Sequence, residues 1–285
     1  MPQDWSDWLG REQRSADRLD AALSARWCAT FDRDGPGGEA MPQGIHLCLC
    51  TPEARTLQLG EDGHPVRDDS PASFLPPVPL ARRMWASSAM RFHAPLATGS
   101  AIERVSRIAS VTPKSGSRGD MVFVEVDHRT SADGLLCVEE RQTLVFLDAV
   151  AGDAPLVPPP PGEARFETSG WDAHRALVPD ERLLFRFSAL TFNTHRIHYD
   201  APYARDSERY RGLVVHGPLM ASLLLQLAGG TLGENQLAQF EFRAVSPAIA
   251  GETLHLVMRE SEQGYELGAF AQDGRQVVKA SAARA

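Results

Sequence analysis

The segment Leu219 to Ala228, LMASLLLQLA, is apolar on nearly every side when wound as a helix. Such a helix has no face to offer to water and has to be buried. It is also too short to cross a bilayer. The rest of the chain must therefore wrap it. Gly217 and Pro218 lead into it and Gly229-Gly230 is expected to stop it. Proline suits the first helical position, and glycine lets a backbone or a ligand approach closely. The start of a buried helix carries unpaired N–H groups and partial positive charge. It can stabilise negative charge developing on a carbonyl oxygen.

The wrapping elements are legible as alternating runs rich in Val, Ile, Phe and Thr. Ala101 to Val111, Met121 to Arg129 and Leu135 to Phe146 are separated by turn signals at Pro113 to Asp120 and at Asp133-Gly134. They predict hairpin-linked antiparallel strands, preceded by a strand around Met90 to His93. Beyond the apolar helix, Gln239 to Val245, Thr253 to Glu260, Tyr265 to Gln272 and Gln276 to Ala282 repeat the pattern. Near the start, Leu19, Ala22, Leu23 and Trp27 predict an amphipathic helix within 11–27. Ile45 to Cys50 reads as a strand with Cys48 and Cys50 on one face. Asp32 to Gly38 and residues 60–80 read as loops. Four prolines, Pro158 to Pro161, favour an extended connector. The expected organisation is an N-terminal domain (1–148), a linker (149–170) and a C-terminal domain (171–285). Each domain would be a helix wrapped by a curved antiparallel sheet, an α+β arrangement.

A chain with 29 basic and 37 acidic residues, net charge −8, is not expected to bind nucleic acid in general. The four cysteines show no C-x-x-C spacing, so neither a disulfide framework nor a cysteine zinc site is expected. The start, MPQDWSDW, lacks the basic and apolar regions of a secretory signal. A reduced, cytoplasmic, soluble protein with no membrane partner is the expectation.

The chemistry-bearing residues cluster just ahead of the apolar helix, in Asn193-Thr-His195-Arg196-Ile-His198-Tyr-Asp200. A short alternating segment, Phe185 to Ala189, precedes the cluster. His198 has the side-chain type for a base near neutral pH. Asn193 can orient a water or cap the following turn. His195 and Asp200 can share the proton work, and Asp200 can equally cap a helix over Ala201 to Tyr210. His195 and His198 could suggest a metal pair, but no third ligand of suitable spacing is visible, so no metal is expected. Arg196, Arg205, Arg211 and Arg243 gather positive charge suited to a phosphate-bearing ligand. Lys114 and Arg118 are weaker candidates. Arg82, Arg83 and Trp85 could shape an acyl pocket or brace the two halves, and His216 is expected to pack beside the helix entry. The histidines of the N-terminal half, His46, His64, His93 and His128, precede no comparable helix and are expected to lie outside the chemistry.

The stretches Phe187 to Asp200 and Tyr210 to Leu219 resemble the MaoC-like hydratases and dehydratases of hotdog fold. With Arg82 to Trp85 and Phe240 to Pro247, they look most like the branch of hydroxyacyl-thioester dehydratase type 2 and mesaconyl-C4-CoA (3-methylfumaryl-CoA) hydratase. The resemblance implies a double hotdog in which only the C-terminal unit keeps a catalytic motif. It implies Asn193, His198 and the Gly217 amide as the catalytic set, and Arg82, Arg83, Trp85, Arg196, His216 and Arg243 as binding residues. It implies an acyl-CoA substrate, no cofactor beyond the coenzyme A carrier, and leaves a homodimer open. The wider MaoC pattern has aspartate where this chain has Asn193. Asparagine does not titrate, so His198 must carry more of the proton traffic or share it with His195 or Asp200. The implied reaction is hydration of a short branched dicarboxylic enoyl-CoA such as mesaconyl-C4-CoA or itaconyl-CoA. The rivals are a (3R)-hydroxyacyl-thioester dehydratase, a hotdog thioesterase using Asp200 or Glu208, and a non-catalytic acyl-CoA-binding module.

Overall fold

The protein is described by a computed structural model covering residues 4–35, 38–116 and 119–284. In chain order the elements are β1 (Glu12–Arg18), α1 (Ala21–Thr30), β2 (Arg82–Phe92), β3 (Ala101–Gly116), β4 (Gly119–Ala132) and β5 (Leu135–Leu147). There follow β6 (Ala173–Leu177), α2 (Glu181–Leu190), α3 (Ala201–Asp206), α4 (Gly217–Leu232), β7 (Leu237–Ala244), β8 (Leu254–Ser261), β9 (Gly264–Ala271) and β10 (Gln276–Arg284). The strands form one antiparallel sheet in the order β1-β3-β4-β5-β2-β7-β10-β9-β8-β6. β2 pairs with β5 on one side and with β7 on the other, so the sheet runs unbroken from the N-terminal half into the C-terminal half.

α4 is the predicted apolar helix. Leu219 to Gln226 and Ala228 are all buried in it, and it packs on β6, β8 and β9. It does not stop at Gly229-Gly230. Two helical glycines cost about 1 kcal/mol each relative to alanine. Leu227 and Leu232, packed against the core on either side, recover a comparable amount. The helix ends at Gly233, whose φ of 98° supplies the left-handed turn. No helix of the described residues is long and apolar enough to cross a membrane.

Three other expectations are corrected. Residues 11–27 are a strand followed by a helix. β1 is an edge strand with no buried residue, so its sequence carries no apolar alternation, and its charges suit an unpaired edge. α1 starts where Asp20 accepts the Leu23 N–H. Ile45–Cys48 is a 3-10 turn rather than a strand: Gly44 at φ 105° bends the chain, and Ile45, His46 and Cys48 are buried. Cys50 lies outside that turn at φ 51°, so the two cysteines share no strand face. Phe185 to Ala189 belongs to α2, which buries Leu184, Phe187 and Leu190 at helical spacing and leaves Phe185 exposed. The N-terminal half's one α-helix among the described residues, α1, is shorter than α4 and packs on α2 of the other half through Phe31 and Phe187, rings 6.3 Å apart.

The proline-rich stretch lies on the C-terminal half. Val157 N–H bonds to the Arg209 carbonyl, Arg165 and Phe166 N–H to that of Gln272, and the Phe166 ring stacks on His255 at 4.5 Å.

Candidate active site

Two turns far apart in sequence build the site. The first follows α2. Asn193 N–H closes back on the Ser188 carbonyl, and Asn193 Oδ1 accepts the His195 N–H at 2.9 Å. His195 then caps a 3-10 turn, Arg196–His198. Asp200 caps α3 by accepting the Tyr203 N–H. Asn193 therefore shapes the turn with its oxygen, and its amide nitrogen has no partner among the described residues.

His198 is buried, and its Nδ1 lies 2.7 Å from the Val214 carbonyl oxygen. A carbonyl only accepts, so Nδ1 carries the proton and Nε2 keeps its lone pair. Nε2 has no partner among the described residues, yet it is not among the sealed-off buried atoms. Burial, then the nearby His195, lowers the His198 pKa to about 3. The imidazole is neutral at physiological pH. His216 caps α4 and stacks on His198 with ring centroids 3.6 Å apart. Its Nε2 meets Ser188 Oγ at 2.8 Å. Burial, then His198, holds it well below the usual histidine range.

Gly217 opens α4. A Cβ there would meet only the Trp85 carbonyl oxygen, at 4.0 Å. Packing does not require glycine at this point, and the Gly217 N–H has no hydrogen-bond partner among the described residues. Trp85 is held on β2 by hydrogen bonds from Nε1 to Ser88 Oγ and to the Ser87 carbonyl.

The second turn, Gly60 to His64, comes from the N-terminal half. Gly63 sits at φ 85°, and a Cβ there would lie 1.8 Å from the Thr194 carbonyl oxygen. Three hydrogen bonds stitch the turns together: Thr194 Oγ1 to the Gly63 carbonyl at 2.5 Å, Arg196 N–H to the Asp62 carbonyl at 2.8 Å, and Arg196 Nη1 to the Glu61 carbonyl at 3.0 Å. The His64 ring thereby packs on His195, centroids 4.0 Å apart. His64, expected to lie outside the chemistry, is in the site. Asp62, 2.9 Å from His64 Nδ1, comes with it. Asp62, His64 and His195 also each offer an atom that could hold a metal, all within 4.8 Å of one another. His195, which spacing alone set beside His198, is a member of this group, and His198 is outside it.

The candidate arginines divide. Arg82 donates to Glu208 at 2.6 Å and to the Tyr210 hydroxyl at 3.0 Å, which makes it a brace between β2 and the segment after α3. Arg196 is committed to Asp200 at 2.7 Å and to Glu61, and Arg211 to Glu252 and the Pro158 carbonyl. Arg83 has no hydrogen-bond partner among the described residues, and its charge helps to depress His195. Arg205 and Arg243 are exposed and unpaired among the described residues; Arg243 lies beside Lys279 of β10. Lys114 lies over the Phe123 ring, and Arg118 falls outside the described residues. A surface hollow of about 770 Å³ lies elsewhere, between α1 and α2, with no histidine in its lining.

A model of the hydroxyacyl-thioester dehydratase type 2 family matches residues 44–250, the span that holds both turns and all of α4. The chain belongs to that family. The mesaconyl-C(4)-CoA hydratase of Chloroflexus aurantiacus is 38% identical over 98% of this chain and 97% of its own length. The mitochondrial hydroxyacyl-thioester dehydratase type 2 of Schizosaccharomyces pombe is 26% identical over 87% of this chain and 88% of its own. A Mycobacterium tuberculosis protein of double hotdog fold superposes with a TM-score of 0.61 at 14% identity, over 96% of this chain and 95% of that one. The unbroken sheet around α4 is thus a double hotdog, and this family member is an enzyme of the hydratase/dehydratase class.

Asp62 and His64 were missed from sequence. Their signal is slight, an Asp-Gly-His turn inside a Gly/Pro-broken loop, and the contact that matters spans 131 residues. Because Gly63 has no room for a side chain, Gly63→Ala is expected to push the turns apart and lower turnover at least about tenfold. Steady-state kinetics on the folded variant checks this; wild-type kinetics would mean the turns do not need this contact.

The same burial sets a pH dependence of stability. His46, His128, His195 and His198 are lowered from 6.5 to about 3 or 4, chiefly by burial, and burial also holds His216 well below the usual histidine range. Below about pH 6.5 the unfolded chain binds protons on these residues and the folded chain does not, so stability falls with pH. Each histidine contributes about 1 kcal/mol per pH unit between its two pKa values. Glu140, pushed up by burial, opposes this as a single group. Denaturant unfolding at pH 7.5 and 5.5 should show a clear loss at the lower pH; equal stability would contradict it.

Proposed function

We propose that the protein adds water reversibly across the double bond of an enoyl-CoA thioester. The observation that carries this is His198, fixed by Val214 with Nδ1 protonated and Nε2 unpartnered, stacked on His216 at the start of α4 where the Gly217 N–H has no partner among the described residues. Nε2 accepts a proton from a water that Asn193 Nδ2 helps to orient. The water oxygen bonds to the β-carbon, and the Gly217 N–H stabilises the enolate oxygen of the thioester. The proton held on imidazole then passes to the α-carbon. The reverse sequence is dehydration. No cofactor beyond the coenzyme A carrier enters. Arg243, beside Lys279, is the best-placed candidate for a coenzyme A phosphate, and Trp85 for a wall of the acyl site.

The preferred substrate class in this proposal is a short branched dicarboxylic enoyl-CoA, of the mesaconyl-C4 or itaconyl kind. Support comes from the 38% identical relative of that name and from Arg83, whose uncommitted guanidinium suits a distal carboxylate. The alternative, a (3R)-hydroxyacyl-thioester dehydratase, would use the same residues in the other direction and leave Arg83 without a task. A thioesterase would need a free carboxylate, and Asp200 and Glu208 are tied to Arg196 and Arg82.

His198→Ala is expected to lower turnover at least about a hundredfold with the fold retained, the usual scale for a general base. Hydration of crotonyl-CoA measured by enoyl absorbance checks this, and near-normal activity would remove His198 from the mechanism. Arg83→Ala should raise KM for a dicarboxylic enoyl-CoA far more than for crotonyl-CoA, whereas Arg82→Ala should affect both alike. Equal effects of Arg83→Ala on the two substrates would point away from dicarboxylates.

A further inference from the structure

The 193–200 segment offers no ionised carboxylate to its own histidines. Asn193 is neutral. Asp200 spends one oxygen on the Tyr203 N–H and the other on Arg196. Around the substrate space the other charges are positive or become so: His195, His198 and His216 depress one another, and Arg83 adds to the effect on His195. A proton taken from water must nevertheless reside on this cluster between the two halves of the addition.

Asp62 is the carboxylate whose charge reaches it: burial, His64, Arg83 and His216 make His195 harder to protonate, and Asp62 alone acts the other way. Burial by itself would raise the Asp62 carboxyl. The side-chain and backbone hydrogen bonds and the charge of His64 outweigh that and hold it well below the usual range. Asp62 Oδ1 accepts the His64 N–H, and Oδ2 lies 2.9 Å from His64 Nδ1. The His64 ring packs at 4.0 Å on His195, which in turn meets His198 edge to face at 5.4 Å. The arrangement is built: Gly63 has no room for a Cβ, and three hydrogen bonds clamp the 60–64 turn to Thr194 and Arg196.

We propose that Asp62, acting through His64, is the positioning and counter-charge group for His195, supplied by the N-terminal half in place of a carboxylate within the catalytic segment. This rests on the hydratase reading above. The water O–H bond breaks, the oxygen bonds to the β-carbon, the proton rests on the His198–His195 pair and then moves to the α-carbon. Asp62 gains and loses no proton; its charge makes the transient imidazolium less costly. The same three residues could hold a divalent cation. Two observations favour the counter-charge role: Asp62 and His64 already satisfy each other, and Arg83 places positive charge beside His195.

The test compares full-length wild type, Asp62→Asn, Asp62→Glu and His198→Ala with crotonyl-CoA, with and without a chelator, over a pH range carried down from 9 until the acid limb of the wild type is reached. The groups facing the pair are Glu61 and Arg67 on its own loop, Arg83 from β2, Tyr203 from α3, and His195, His198 and His216. Asp62→Asn should lower kcat at least about tenfold, with KM within about twofold and the thermal midpoint unchanged. It should also move the acid limb of kcat/KM to lower pH, because His195 becomes harder to protonate. Asp62→Glu should restore part of kcat. An unchanged kcat in Asp62→Asn, with His198→Ala inactive, would overturn the inference and leave the hydratase reading standing. So would a loss of kcat accompanied by a lower thermal midpoint, with no shift of the pH profile and no rescue by glutamate, which would mark a merely structural turn. Activity lost with chelator and restored by zinc would assign the three residues to a metal and overturn it too. Retained activity in His198→Ala would instead strike the reading on which it rests.

Discussion

Everything in this molecule depends on burying one helix that has no polar side. α4 is enclosed from Leu219 to Ala228, and each fully buried Leu contributes about 1.5–3 kcal/mol. A helix so enclosed can be reached only at its ends. Its first turn has N–H groups without helical partners, and that of Gly217 has no other partner among the described residues. The sheet that hides the helix thereby places the start of α4 and the His216–His198 stack side by side.

Three of the contacts that join the two halves set the frame of the site. β2 hydrogen-bonds to strands of both, α1 packs on α2, and the Gly60–His64 turn is stitched to Thr194–Arg196. The first two are structural. The third carries chemistry-bearing side chains, so an N-terminal half without a motif of its own still furnishes part of the site. Arg82 adds a fourth tie through Glu208, and that tie explains why two adjacent arginines differ. Neighbouring residues on a strand point to opposite faces, so Arg82 and Arg83 could not both meet one carboxylate.

That distinction was present in the sequence but hidden, because the predicted strand there began near Met90 and the observed β2 begins at Arg82. What was legible was local. The all-round apolar run gave α4, alternation with glycine turns gave seven of the ten strands (β3 to β5 and β7 to β10), and the close spacing of Asn193, His195 and His198 gave half of the site. What was illegible lacked a local signature. β1 buries neither face, the short apolar run at Ile45 fits a strand or a turn equally well, and the helical spacing in α2 passed for alternation over five residues. The Asp62–His64 contribution depends on a contact between segments that no spacing rule connects. The commitments of Arg196 and Arg211 likewise follow from tertiary partners, Asp200 and Glu252.

The central claim is that water is added across an activated double bond while the thioester stays whole. The most direct measurement is mass spectrometry of mesaconyl-C4-CoA or crotonyl-CoA after incubation with the protein in deuterated water, with free thiol followed in parallel. The account predicts a product heavier by one water, deuterium at the α-carbon and no thiol release. Release of free coenzyme A, or binding of the thioester with no change in its mass, would contradict it.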